Sequence, residues 1–243
     1  MAGPLLSIVI PAYNEENRLP GTLDLIFNFL QSQPYSAEVV VVENGSRDRT
    51  LEIAREYARR YCSLRVLKSE QRGKGLAVRL GMLQAAGEYR LMADADLSMP
   101  VTEINRFIPP GLTNFDIAIA SREAPGAVRY NEPGYRHFVG RGFNLLIRML
   151  ALPGLEDTQC GFKCIRGAIV PQLFNHQTLT GWSFDVELLF IARRYGYRIV
   201  EIPIPWYFNP ESKIRVFHDS FHMGLDLLTI RLNGLRGRYN GKV

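Results

Sequence analysis

The feature that most constrains this chain is an alternation. Between residues 5 and 96, four short apolar runs, "LLSIVIPAY", "AEVVVVENGS", "LRVLKS" and "YRLMADAD", take turns with three stretches whose apolar residues recur at helical spacing. The runs are rich in Val, Ile and Leu and too short for helices, which marks them as buried strands. The stretches between them, "RLPGTLDLIFNFLQSQ", "RDRTLEIAREYARRY" and "GKGLAVRLGMLQAAG", read as helices, the second capped by Asp48. Strand and helix in strict alternation predict an α/β fold, a mostly parallel open sheet flanked by helices.

After residue 100 the rhythm loosens. "VTEINRFIPPG" reads as helical up to Pro109, "FDIAIASR" as a strand and "GYRHFVGRGFNLLIRMLAL" as a long helix dotted with Arg. "GFKCIRG" is a short strand, "SFDVELLFIARRYGY" a helix, "RIVEIPIPWYF" one extended strand, and residues 215–236 an amphipathic helix. No repeat or linker divides the chain. The expectation is one domain over residues 1–243, with a Rossmann-like nucleotide-binding half (1–100) and an acceptor half (101–243) that ends in the amphipathic helix.

Ligands of open parallel sheets bind beyond the carboxyl ends of the strands. Four such ends are polar where the apolar run stops: Pro11–Glu15, Glu43–Asp48, Gln71–Gly75 and Asp94–Ser98. Asp94 and Asp96 stand two apart, and in an extended segment both carboxylates face one way. Oxygen ligands suit a hard divalent cation, which in turn suits a diphosphate; a turn with a capping Asp is the plainer reading. Lys74 lies between Gly73 and Gly75 at a helix start, a place that favours an anion, although no Walker sequence is present.

Arg122, Arg129, Arg136, Arg141 and Arg148 make a basic series beside the apolar "FNLLIRMLAL". Arg suits phosphate, the apolar stretch suits a lipid chain, and Arg148 fits a solvated face. Asp157, Thr158 and Gln159 precede a short strand, and Asp185 and Glu187 open a helix, where acids are stabilising in any case. Lys213 and Arg215 sit in a polar loop from which they could close over phosphates. Phe217, Phe221, Leu225, Leu228 and Leu232 follow at helical spacing, as a core stripe or as the apolar face of a helix lying in a bilayer interface.

Composition narrows the class. The chain carries 47% hydrophobic and 22% charged residues and a net charge of +5, so disorder is excluded and an anionic ligand or surface is suited. Three cysteines at non-zinc spacing point to a reducing compartment. Residues 1–10 run straight into a strand and lack a signal peptide's basic start, and no apolar run is long enough to span a bilayer, so any membrane contact is expected to be peripheral. Beyond Tyr130, Tyr135 and Phe138 the Arg series lacks the interleaved stacking aromatics of a nucleic-acid binder.

The motifs "SIVIPAYNEE", "VVVENGSRDRT", "GKGLAVRLGM" and "DADLSMP", in this order, resemble the donor half of family 2 glycosyltransferases of the GT-A fold. "DTQCGFK", "WSFDVELLFIARRYGYRIVEIPIPW" and "MGLDLLTIRL" resemble the dolichyl-phosphate β-glucosyltransferase branch, kin of dolichyl-phosphate mannose synthase. The resemblance implies a metal-dependent, inverting hexosyltransferase using Mg²⁺ or Mn²⁺. Its donor would be UDP-glucose first and GDP-mannose second, its acceptor a polyprenyl (dolichyl or undecaprenyl) phosphate, and its place the cytoplasmic face of a membrane.

By the same resemblance Pro11, Tyr13, Glu15, Glu43 and Lys74 hold the nucleotide, Asp94 faces the sugar and diphosphate, and Asp96 ligates the metal. Arg122 and Arg136 bind the acceptor phosphate, Asp157 and Gln159 line the sugar pocket, and Lys213 and Arg215 close over phosphates. Glu43 and Asn44 stand where relatives carry two Asp, and Ser98 where the mannose synthases carry Gln. Two other readings stay open: transfer to a hydroxyl, with Asp185 or Asp157 as base, and a non-catalytic binding module on the same fold.

Overall fold

The computed structural model describes residues 3–210 and 216–240. In chain order the elements are β1 (Leu6–Ala12), α1 (Leu19–Gln31), β2 (Ala37–Glu43), α2 (Thr50–Arg60), β3 (Leu64–Lys68), α3 (Lys74–Gln84) and β4 (Tyr89–Met92). Then follow β5 (Ile117–Ser121), β6 (Val128–Tyr130), α4 (Gly134–Leu150), β7 (Lys163–Arg166), α5 (Val170–Phe174), α6 (Phe184–Arg194), β8 (Ile199–Pro203), β9 (Pro205–Tyr207) and α7 (Val216–Leu235).

Seven strands form one sheet in the order β3-β2-β1-β4-β7-β5-β8. All neighbours are parallel except β7, which runs antiparallel to both β4 and β5. The central strands are mostly apolar on both faces, as in Ile8–Ile10 and Val39–Val42, because both faces are covered. Ile8 and Ile10 pack into the layer under α1, while Val9, Val40 and Val42 pack under α3. Burying both faces is what makes the strands legible as continuous apolar runs. The chain steps outward from β1 to β3, then returns to place β4 on the other side of β1. This reversal opens a crevice beyond the carboxyl ends of β1 and β4, the usual ligand position in such sheets.

Several expected elements differ in detail. β4 stops at Met92, and Asp94–Leu97 is a turn in which the Leu97 N–H donates to the Asp94 carbonyl at 3.2 Å. Asp94 and Asp96 are therefore brought together by a turn rather than by strand alternation. Val101–Arg106 is a 3₁₀ helix. The expected strand over residues 198–208 is two: β8 joins the large sheet, and β9 pairs with β6 in a separate two-stranded sheet. Pro203 and Pro205 bracket the switch, since proline cannot donate to a ladder. On α7, Met223, Leu227 and Ile230 face the core, whereas Leu225, Leu228 and Leu232 face outward, so this part of the stripe is surface rather than core. The side chains of Phe217 and Phe221 lie outside the described residues.

Candidate active site

A cavity of about 720 Å³ occupies the crevice. Its floor is the Asp94–Leu97 turn, tied to α1 by the Thr22 hydroxyl, which donates to the Ala95 carbonyl at 2.6 Å. Asp94 Oδ1 is 2.7 Å from Lys74 Nζ, and Lys74 also lies over the Trp182 ring at 5.1 Å. Burial would lower the Lys74 ammonium, but Asp94, Asp185 and Asp96 outweigh it and raise its pKa. Burial and then the Asp94 charge raise the Asp96 carboxyl, while the Ser98 N–H donates to its Oδ1 at 3.2 Å. Two acids thus share a confined corner, with one lysine on Asp94.

The glycines around Lys74 have a packing cause. A Cβ on Gly73 would stand 2.7 Å from the Thr180 carbonyl, and one on Gly75 2.8 Å from Phe184 Cβ. The Gly75 N–H donates to Thr180 O at 2.9 Å and the Gly73 N–H to Asn44 Oδ1 at 3.2 Å. These amides are committed within the protein, so Lys74 brings its side-chain charge, not an open amide cradle.

At the other end, Arg122 leaves the end of β5 and enters the cavity wall. Asp157 holds it: Oδ2 accepts from its backbone N–H at 2.9 Å and from Nε at 2.6 Å, and Oδ1 from Nη2 at 2.9 Å. Burial opposes both charges, yet the pair prevails: Arg122 is raised, and Asp157 is lowered to about 2. Trp206 lies 5.4 Å from the Arg122 guanidinium and 5.8 Å from that of Arg129. Arg129 pairs with Glu123 at 2.5 Å and Glu132 at 2.6 Å, and Arg136 lies over Phe208 at 5.0 Å. Beyond these cations the wall turns apolar, through Val139 and Phe143 of α4 and Met223 of α7.

Of the residues singled out in the sequence, Pro11, Tyr13, Glu15, Lys74, Asp94, Asp96, Arg122, Arg136, Gln159 and Asp185 all border this cavity. Glu43 does not: it is buried and accepts the Ser46 N–H, so it shapes the β2 loop while Asn44 faces the cavity. Asp157 does not either. It is fully buried behind Arg122, because only there can one carboxylate take three donors from that residue. Lys213 and Arg215 lie outside the described residues. Arg148 pairs with Glu156 at 2.7 Å, away from the cavity.

Sequence reasoning passed over Trp182, Trp206, Gly161 and Lys163. A cheap signal existed for the first two: the chain has 2 tryptophans, and both border the cavity. Lys163 and Gly161 gave none, since their roles depend on what faces them across the sheet.

The family model described as "Glycosyl transferase family 2" matches residues 7–174, most of the chain. The chain belongs to glycosyl transferase family 2. Among curated relatives, the dolichyl-phosphate beta-glucosyltransferase of Mus musculus is 36% identical over 98% of this chain and 78% of its own length. That of Homo sapiens is 35% identical over 96% and 77%. Glucosyl-3-phosphoglycerate synthase of Mycobacterium tuberculosis, solved with UDP, superposes with a TM-score of 0.69 over all of this chain and 82% of its own, at 18% identity. Another structure of that enzyme holds Mn²⁺, UDP and glucosyl-3-phosphoglycerate, with a TM-score of 0.69 at 17% identity. At such identity the likeness is one of fold: this glycosyltransferase has the architecture of a GT-A enzyme. Its catalytic nature follows from the family, which removes the non-catalytic reading. Among the described residues, no helix of this glycosyltransferase is long and apolar enough to cross a membrane.

Proposed function

We propose that this glycosyltransferase moves a glucosyl group from UDP-glucose to the phosphate of a polyprenyl lipid, with inversion at the anomeric carbon. The observation that carries this reading is the polarity of one cavity. Paired carboxylates and Lys74 stand at one end, and Arg122 and Arg136 with an apolar wall between α4 and α7 at the other. A phosphate with a long hydrocarbon tail needs both halves of that second end. The relatives' names, which specify dolichyl phosphate and glucose, agree.

The chemistry asks little of a base. A lipid phosphate is ionised near neutral pH, its second pKa lying near about 6. Arg122 and Arg136 align it behind the anomeric carbon; its oxygen forms the new bond as the bond to the diphosphate breaks, and the electron pair leaves with UDP. Lys74 stands where the departing charge develops. Asp94 and Asp96 suit a hard divalent cation, Mg²⁺ or Mn²⁺: two carboxylates crowd one corner, and burial and the neighbouring charge already disfavour ionised Asp96. Among the described residues no third acidic, His or Cys ligand joins them, so substrate oxygens and water would complete the shell. Such a cation supplies charge neutralisation to the leaving diphosphate.

In this reading residues 1–100 form the donor half and 101–243 the acceptor half. Phe138, Leu145 and Met149 on α4 and Leu228, Leu232 and Leu235 on α7 are exposed apolar residues of the two helices that supply Val139, Phe143 and Met223 to the cavity wall, and Arg141, Arg231 and Arg236 are exposed along the same stretches. α4 and α7 pack together, so these side chains suit one anionic bilayer surface from which the acceptor would enter. The free thiols of Cys62, Cys160 and Cys164 suit a peripheral protein on the cytoplasmic side. For transfer to a hydroxyl, Asp157 is a poor base because it is sealed and paired; Asp185 is the one left.

The test is a donor screen. Purified protein, Mn²⁺ and a short polyprenyl phosphate are incubated with labelled UDP-glucose, UDP-GlcNAc, UDP-galactose or GDP-mannose. Label from UDP-glucose alone in the organic phase, abolished by chelator, is the expected outcome. Donor hydrolysis or transfer to an added sugar, with no lipid label, overturns the lipid-phosphate reading.

A further inference from the structure

The cavity wall contains a carboxylate that the proposed reaction does not use. Asp185, in the first turn of α6, is 4% exposed and borders the cavity. Its Oδ1 is buried without a hydrogen-bond partner. Lys163 Nζ forms an ion pair with that oxygen at 3.1 Å, and this 3%-exposed ammonium also donates to the Cys160 carbonyl at 2.6 Å. The result is a buried ion pair with acceptor capacity left over.

Such a pair is a poor device for stability. Desolvating two charges cancels most of their attraction, and apolar residues of similar volume do as well or better. Asp185 lies in the first turn of α6, where an acid is stabilising, but the N-cap of that helix is Ser183, so capping does not account for its burial against Lys163. The charges around Asp185 narrow what it could receive. Lys163 and Lys74 approach it from β7 and α3, and Asp94 faces it across the cavity floor. A phosphate would meet a like charge there. A further cation would compete with two lysines already in place. What fits an anionic acceptor so balanced is a neutral donor, a hydroxyl group.

Resting on the glucosyl-transfer reading above, we propose that Asp185, held in place by Lys163, accepts a hydrogen bond from a hydroxyl of the transferred hexose and helps select that sugar. Lys163 is then a positioning residue: burial raises the Asp185 carboxyl, and the Lys163 ammonium opposes that rise and fixes the group against the wall. A bond from a hydroxyl to a fixed carboxylate is short and strong. A buried polar group left empty by the wrong sugar penalises that sugar heavily.

The experiment crosses the Asp185→Asn variant with donors lacking one hydroxyl each: the 2-, 3-, 4- and 6-deoxy forms of UDP-glucose. Affinities of UDP and of each donor are measured by calorimetry, and transfer to a short polyprenyl phosphate by initial rates. Expected are UDP affinity within about 2-fold of wild type and kcat/KM for UDP-glucose lower by about 100-fold. For one deoxy donor alone, variant and wild type should agree within about 3-fold. Lys163→Gln should repeat that donor pattern with a smaller loss. An equal loss with every donor, as a general base or a misfolded site would give, overturns the proposal, as does a matching fall in UDP affinity. If wild type binds UDP-glucose but labels no lipid, the acceptor reading fails while the calorimetric comparison still decides Asp185. A wild-type chain that binds no nucleotide-hexose overturns both.

Discussion

Arg122 reaches the cavity on a carboxylate that never reaches it: Asp157, which has no exposed surface, accepts three hydrogen bonds from Arg122 and a fourth from the Gln159 N–H. The Asp157 N–H in turn donates to Glu201 Oε1 at 2.9 Å, so the arrangement is anchored in β8. A chain of three charged residues thus fixes one guanidinium.

Asp157→Asn should therefore destabilise the fold by about 3 kcal/mol, since it leaves a largely buried guanidinium without its counter-charge. Because Asp157 titrates at about 2 in the folded protein, below about 3.9 when unfolded, its contribution is complete above about pH 4. It is lost as pH falls through 2. Denaturation from pH 7 to pH 2 should show the wild-type advantage narrowing by about 2–3 kcal/mol only at the acid end. An advantage that shrinks mainly above pH 5 contradicts the pairing.

Gly161 makes room for the Asp94 carboxylate, with which any Cβ at that position would collide. Gly161→Ala should leave the melting temperature within a few degrees, because the side chain can swing aside. It should also break the 2.7 Å contact with Lys74 and lower turnover by about 100-fold. An active alanine variant would show that Asp94 need not sit where the structure places it.

Asp96→Ala should abolish metal-stimulated turnover, and chelation of the wild type should give the same low rate. The loss is expected to reach about 1,000-fold, the scale of removing one electrostatic contributor at a reacting centre. A variant that retains full metal-dependent activity rules out Asp96 as a ligand.

Lys74→Met should raise the KM for the donor and lower kcat together by about 100-fold or more, as the charge opposite the diphosphate is lost in ground and transition states alike. Arg122→Lys, which keeps charge but not the fork, should act mainly through the KM for the lipid phosphate. Initial rates with each substrate varied separately distinguish the two.

Phe138→Glu with Leu228→Glu should reduce flotation with vesicles containing anionic lipid, yet leave transfer to a short acceptor in detergent near wild type. Both residues are exposed, so stability should shift by less than about 0.5 kcal/mol. Unchanged flotation would mean that this face does not meet lipid.

The strand ends, the α/β class and the order of the donor motifs were readable in the linear chain, because burial of both sheet faces imposes unbroken apolar runs and each run ends in its polar loop. Lys74, Asp94 and Asp96 could be named from neighbours in sequence alone. The residues behind them could not. Asp157 looked like a cavity residue until 35 positions of chain folded to bring it against Arg122. Glu43 looked like a nucleotide contact until its carboxylate turned onto the Ser46 N–H. Lys163 was an ordinary strand lysine until β7, running against its neighbours, brought it beneath Asp185. Local pattern determines which residues are polar at a strand end. Which of them faces the cavity, and which holds another in place, depends on contacts between segments far apart in the chain, and only tertiary packing decides those.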